Sequence, residues 1–209
     1  MVKRPPTPFD PATMVLPAGE LLYRVVTATR DATEFNPGEG APTRFAFFGD
    51  PVVPVMYAAD TEMAAVAETL LHNVPVEGGV VPYDRYSRKA LVRLAVIRDV
   101  RLAVLHGLGL RRLKVDADDV TSSPASSYPT TVRWAEAAHQ LGLDGLVWMS
   151  RMCNDTMAFS KAYVFFGDHC ADAFTQDVSH ARIFASPADQ IWLIDRCAPL
   201  HVDVLLEPR

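Results

Sequence analysis

Short apolar runs recur along the chain, and their composition and boundaries predict β-strands. Most are rich in β-branched or aromatic residues, which fit a pleated surface. The run at residues 90–97 is almost continuously apolar, which is typical of a strand buried on both faces. The predicted strands are residues 21–26, 52–59, 90–97, 100–105, 145–149, 163–166, 191–194 and 201–206.

Two segments have the spacing of amphipathic helices. In residues 61–72 the apolar side chains fall on one stripe, and Asp60 is placed to cap the first turn. Residues 129–141 begin with a proline suited to a first turn, follow Ser127 as the predicted cap, and end before Gly142. Because the chain has more strand than helix, the pattern predicts an α+β (mixed α/β) fold.

The beginning of the chain differs from the rest in its proline content. Five prolines fall within the first 19 residues, and proline cannot donate a backbone hydrogen bond or continue a helix. We therefore predict a proline-rich N-terminal tail at residues 1–19. No internal repeat or long polar linker divides the remainder, so residues 20–209 are predicted to form one domain.

Composition and charge then narrow the function classes. The 209 residues are 49% hydrophobic and 22% charged, which excludes wholesale disorder. A net charge of −5 excludes a strongly basic chain and leaves only a local basic patch open, so we expect no direct nucleic-acid binding. No apolar stretch is long enough for a membrane span, and none follows the basic N-terminus as in a secretory signal. The three cysteines form no Cys-x-x-Cys pair, which favours reduced thiols in the cytoplasm.

Common site motifs give no match. The six histidines include no close pair. Residues 168–170 form a compact Asp-His-Cys run, but adjacent side chains on a strand point to opposite faces. We therefore expect no metal site. The Gly-x-Gly at residues 107–109 lacks the third glycine of a dinucleotide loop. Ser150 ends a predicted strand but lies outside any Gly-x-Ser-x-Gly motif.

Four polar side chains stand out from the pattern of their segments. Arg24 lies in the middle of an apolar strand, where an unpaired buried charge is costly. Arg44 follows a Gly- and Pro-rich loop, Tyr57 lies on the next strand, and Glu68 flanks the apolar stripe of the following helix. From the pattern alone, Arg24 fits a structural ion pair as well as a ligand contact, and Glu68 fits a solvated helical residue.

Taken in order, these segments resemble the RES-domain family, which is named for an arginine, a glutamate and a serine. The likeness covers residues 22–25 with Arg24, the pair Arg44-Phe45, residues 55–69 with Tyr57 and Glu68, residues 143–151 with Ser150, and residues 163–167. The family usually has glycines before its second arginine and Asn-Pro after it. Here Arg44 instead follows Ala-Pro-Thr and precedes Phe-Ala-Phe.

The resemblance implies an ADP-ribosyltransferase-like mixed sheet with flanking helices and a site for NAD. It implies that Glu68 stabilises the positive charge that develops on the ribose as the nicotinamide–ribose bond breaks. Arg24, and Arg44 as second candidate, would bind the pyrophosphate, because a guanidinium can bond two oxygens at once. Tyr57 would contact nicotinamide or ribose, and Ser150 would bind phosphate or ribose or orient the acceptor. No metal is implied.

The activity implied by the resemblance is that of an enzyme, an NAD phosphorylase or glycohydrolase, which acts as the toxin of a type II toxin–antitoxin pair. NAD would be its substrate, and phosphate or water would accept the ADP-ribosyl group. Its implied partner is an Xre-type antitoxin protein, which would bind DNA in its place. Two alternatives stay open: a toxin that is a protein mono-ADP-ribosyltransferase, and a non-catalytic binding protein that retains the fold.

Overall fold

A curled sheet with helices packed around it forms the centre of the molecule. The computed structural model describes residues 2–75, 77–154 and 159–207, and for residues 151, 152 and 154 it describes the backbone alone. The strands are β1 (Thr13–Leu16), β2 (Leu21–Thr27), β3 (Val55–Ala59), β4 (Gly79–Val81), β5 (Lys89–Val96), β6 (Val100–Val104), β7 (Gly145–Asn154), β8 (Phe159–Phe166), β9 (Phe174–Ile183) and β10 (Val202–Val204). The helices are α1 (Glu62–Leu70), α2 (Tyr83–Tyr86), α3 (Leu108–Arg112), α4 (Ala117–Val120), α5 (Tyr128–Gln140), α6 (Gly167–Cys170) and α7 (Pro187–Cys197).

Eight of the strands form one mixed sheet in the order β1-β6-β7-β8-β3-β2-β5-β9. Neighbouring strands are antiparallel except β6 and β7, which run parallel. The short strands β4 and β10 pair in parallel beside it. This mixed, mostly antiparallel sheet with flanking helices confirms the predicted fold class.

Most of the predicted strands are present, but residues 191–194 are not a strand. They lie in α7, where Leu193 and the residue one turn later, Cys197, are both buried. The run therefore contributes one position, Leu193, to the buried side of a helix, and Pro187 in the first turn marks where that helix begins. The prediction also missed β9, an edge strand whose residues are mostly exposed and so carry little apolar signal.

The predicted helix caps differ from those in the structure. Thr61, not Asp60, caps α1, because its Oγ1 accepts a hydrogen bond from the backbone N–H of Ala64 at 3.2 Å. The Asp60 carboxylate instead accepts a hydrogen bond from the backbone N–H of Lys161 on β8 at 2.8 Å. Ser127 occupies the cap position of α5, but its side chain accepts no capping hydrogen bond.

The proline-rich segment lies against the domain instead of leading freely into it. Residues 13–16 form β1, which pairs with β6 and extends the sheet by one strand. Further back, the indole N–H of Trp134 donates to the carbonyl of Lys3 at 3.0 Å, and Phe9 packs edge-on against the same indole. Extended backbone can still join a sheet edge, although its prolines cannot donate hydrogen bonds. The domain boundary at residue 20 stays a prediction.

The core lies on both faces of the sheet. α1 covers one part of it with Ala64, Val66, Ala67 and Leu70, which are fully buried. α5 covers another part with Trp134, which is also fully buried. Among the described residues, no helix is both long enough and apolar enough to cross a membrane.

Candidate active site

A concave feature on one face of α1 opens where two neighbouring strands separate. β2 pairs with β5 along its whole length, but with β3 it pairs only at Tyr23–Ala59. Beyond that pair the strands diverge, and the long connection between them, residues 28–54, closes over the gap. A cavity of about 400 Å³ lies there, within the size range of small-molecule sites.

One face of α1 lines this cavity. Ala65, Glu68 and Thr69 all contact it, and their spacing of three or four residues from Ala65 places them on one side of the helix; His72, two residues beyond the end of α1, lines the cavity as well. The opposite stripe of α1 packs into the core. The solvated-residue interpretation of Glu68 is therefore wrong, because its side chain is half-buried and lines the cavity.

Ser150 supports Glu68 from the sheet. Its hydroxyl donates a hydrogen bond of 2.6 Å to Oε1 of Glu68. Ser150 is fully buried on β7 and is not among the residues that line the cavity. The pair therefore joins a carboxylate at the cavity surface to a fixed donor behind it, which restricts the orientation of the carboxylate.

Arg24 brings a positive charge to the same cavity from β2. Its Nη1 donates to the carbonyls of Ala32 at 2.9 Å and Glu34 at 3.0 Å. Its Nε is buried and has no hydrogen-bond partner among the described residues, which also provide no ion pair for it. Burial lowers the pKa of this guanidinium to about 10, more than the nearby Glu34 and Asp31 raise it. The described residues thus do not support the structural ion pair, and the guanidinium remains available to an anion.

Arg44 and Tyr57 hold the connection that covers the cavity. Arg44 Nη1 donates to the Val120 carbonyl at 3.2 Å and to the carbonyl and hydroxyl of Ser123, both at 2.8 Å. The Tyr57 hydroxyl lies 2.8 Å from the Thr43 hydroxyl and accepts a bond from the backbone N–H of residue 45 at 3.2 Å. Burial raises the pKa of Tyr57 to about 12, so it stays protonated at neutral pH. Both side chains line the cavity.

The side chains that line the cavity and were not predicted include His72, Arg85 and Tyr128. The Tyr128 hydroxyl lies 3.2 Å from Nε2 of His72, and the Arg44 guanidinium lies 5.3 Å from the Tyr128 ring centre. Arg85 Nε donates to the carbonyl of Leu70 at 3.1 Å. His72 could have been found from its spacing of four residues after Glu68. Arg85 and Tyr128 come from sequence-distant elements, and no local pattern indicates them.

Away from the cavity, the fold brings together His139, Asp168 and His169, whose ligand atoms lie within 4.8 Å of one another. His139 Nε2 is 2.8 Å from an oxygen of Asp168, and His169 Nδ1 is 2.8 Å from the carbonyl of Leu143. The sequence argument against a metal site missed this proximity, because His139 on α5 is distant in sequence from Asp168 and His169 on α6. The two imidazoles, however, stack 4.1 Å apart at 11°, so their in-plane lone pairs do not converge on one point. We assign no metal to this cluster.

Comparisons with known proteins bear on the family and the fold of the chain. The RES domain family matches residues 21–189. No curated protein sequence matches the chain. A chain in the crystal structure of the M. tuberculosis MbcT–MbcA toxin–antitoxin complex has a TM-score of 0.55 and 18% identity, over 80% of this chain and 85% of that one. At this identity the match shows a shared fold.

Proposed function

The chain belongs to the RES-domain family, and we propose that it is an enzyme that consumes NAD. It would break the nicotinamide–ribose bond and transfer the ADP-ribosyl group to phosphate or water. In the cell it would act as the toxin of a type II toxin–antitoxin pair.

One observation carries the proposal: a carboxylate oriented by a buried serine lies in the same cavity as an arginine that has no ion pair among the described residues. Breaking the glycosidic bond builds positive charge on the ribose, and a fixed negative group beside it lowers the barrier. Glu68 supplies that group, and the bond from Ser150 holds it in place before the substrate arrives. In water, solvent molecules would have to reorient to provide the same stabilisation, whereas Glu68 and Ser150 are already in position.

Binding of NAD is assigned to the arginines and the tyrosine. The pyrophosphate would accept hydrogen bonds from Arg24, whose buried Nε has no partner among the described residues. Such a bond would offset the cost of burying this charge. Arg44 already bonds the residues around Ser123, so its main effect would be to hold the cavity wall. Tyr57, with Trp148 edge-on beside it, offers an aromatic surface to nicotinamide.

The proposed partner is an Xre-type antitoxin in the cytoplasm. The solved structure with the same fold comes from a toxin–antitoxin complex, which supports a protein partner for this chain. The net charge of −5 favours a division in which the partner binds DNA. An antitoxin that covers the opening between β2 and β3 would block access of NAD to Glu68.

Expression in a bacterial host tests the proposal. We expect the wild-type gene to stop growth and lower cellular NAD, whereas Glu68→Gln and Arg24→Ala do neither at equal protein levels. Glu62→Gln is the matched control, because it changes a glutamate of the same helix that does not line this cavity. Growth and NAD levels that are the same for wild type and Glu68→Gln would overturn the proposal.

A further inference from the structure

We propose that Arg85 forms a separate anion subsite that holds inorganic phosphate beside Glu68 and so selects phosphate over water as the acceptor. This inference rests on the proposed cleavage of NAD. It assigns a role to a residue other than Arg24, Glu68 and Ser150.

The position of Arg85 is fixed relative to Glu68 by a hydrogen bond to the end of α1. Its Nε donates to the carbonyl of Leu70, the last residue of that helix. Leu70 follows Glu68 by two residues, a rise of about 3 Å along the helix axis. Both side chains line the same cavity. An anion bound to this guanidinium therefore lies in the same cavity as the Glu68 carboxylate, near the end of α1.

Arg85 has donors left for a ligand. The described residues accept a hydrogen bond from its Nε only, which leaves the two terminal amino groups for an oxyanion. A guanidinium anchored at one side presents a fixed fork, which matches the oxygens of a phosphate. Arg24 and Arg44, in contrast, each use a terminal amino group to bond backbone carbonyls.

The charge around Arg85 also favours an anion. None of the described carboxylates forms an ion pair with this half-buried side chain. Burial, and secondarily the charge of Arg85, lowers the pKa of Lys89, so these two cations lie close together. Among the residues that the structure describes, the arginines and carboxylates that line the cavity are Arg24, Arg44, Arg85 and Glu68. The pyrophosphate of NAD is partly offset by its positive nicotinamide ring, so bound NAD leaves some of this positive charge uncompensated.

The transfer step balances without further reactants. The electron pair of the bond between ribose C1 and the nicotinamide nitrogen goes to that nitrogen, which becomes neutral. A phosphate oxygen supplies the electron pair of the new bond to C1, and the products are nicotinamide and an ADP-ribose phosphate ester. Arg85 would orient the attacking phosphate, while Glu68 stabilises the charge on the ribose.

Steady-state kinetics of Arg85→Ala test the assignment, with Arg88→Ala as the control. Arg88 lies just after the same short helix, but it is exposed and does not line the cavity. Loss of charge-assisted bonds predicts that the KM for phosphate rises about 10- to 100-fold in Arg85→Ala. We expect the KM for NAD to change less than about threefold, the share of hydrolysis to increase, and Arg85→Lys to recover part of the phosphate dependence. A higher KM for NAD with an unchanged KM for phosphate would overturn the assignment, because Arg85 would then bind the pyrophosphate. Unchanged values for both would also overturn it.

Thermal unfolding with inorganic phosphate, in the absence of NAD, separates this inference from the proposed function. We expect phosphate to raise the Tm of wild type and Arg88→Ala, and the shift to disappear in Arg85→Ala. A shift that depends on Arg85 in a protein that leaves NAD intact would refute NAD cleavage and retain the anion subsite. Phosphate stabilisation that is equal in wild type and Arg85→Ala, in a protein that consumes NAD, would refute the subsite alone.

Discussion

The replacement Ser150→Ala tests how the catalytic carboxylate is held. In the structure the Ser150 hydroxyl donates at 2.6 Å to Glu68 and is fully buried. Alanine removes this donor and little volume, so the fold should be retained. Glu68 would then lose the bond that fixes its orientation.

The magnitude follows from the kind of bond that is lost. A hydrogen bond to a charged group contributes about 1.5–3 kcal/mol, and about 1.4 kcal/mol corresponds to a tenfold rate change. We therefore expect kcat for NAD cleavage to fall about 10- to 100-fold. Because Ser150 does not line the cavity, we expect the KM for NAD to change by less than about threefold.

The assay is steady-state release of nicotinamide by purified wild type, Ser150→Ala and Ser160→Ala. Ser160 is the matched control, since it is a buried serine on the next strand that bonds Thr61 instead of Glu68. Its alanine variant should keep a kcat close to wild type. A tenfold rise in KM with unchanged kcat in Ser150→Ala would refute the reasoning, because Ser150 would then bind substrate directly.

Two further predictions concern the pKa values and the wall of the cavity. The pKa of Arg24 is lowered to about 10, so its charge is complete below that pH and lost above it; the KM for NAD should be flat from about pH 7 to 9 and rise above pH 10. Tyr57 has a pKa of about 12 and therefore does not titrate in this pH range. A KM for NAD that stays flat up to pH 11 in a folded enzyme would contradict the assignment of Arg24 to pyrophosphate binding. Tyr57→Phe removes the hydroxyl that accepts a bond from the backbone N–H of Phe45, and it should lower the stability by about 1 kcal/mol and raise the KM for NAD. An unchanged melting temperature and KM would show that this hydroxyl does not hold the wall.

Much of the fold follows from local patterns, because the core faces of its elements carry the signal. The stripe in residues 61–72 placed α1 correctly, and the apolar run around Arg24 placed β2. The apolar run at residues 191–194 fits either a strand or a helix, and in the structure it packs as part of helix α7. The pairing of β1 in the proline-rich segment also depends on a distant strand, β6, which the local sequence does not indicate.

The site was predictable only in part. Glu68 and Arg24 stood out because each is a charge beside apolar neighbours, and the structure brings both to one cavity. The cavity itself arises from the divergence of β2 and β3, which is a property of the whole sheet. Arg85 reaches it through a bond to the end of α1, and no spacing in the sequence records that contact.

The central claim is that Glu68 in this cavity cleaves NAD, and the most direct measurement is NAD consumption by the purified protein, with and without phosphate. The account predicts that wild type releases nicotinamide, faster with phosphate, and that Glu68→Gln, with the same melting temperature, is slower by at least about 100-fold. Intact NAD in both buffers, or equal rates for wild type and Glu68→Gln, would contradict it.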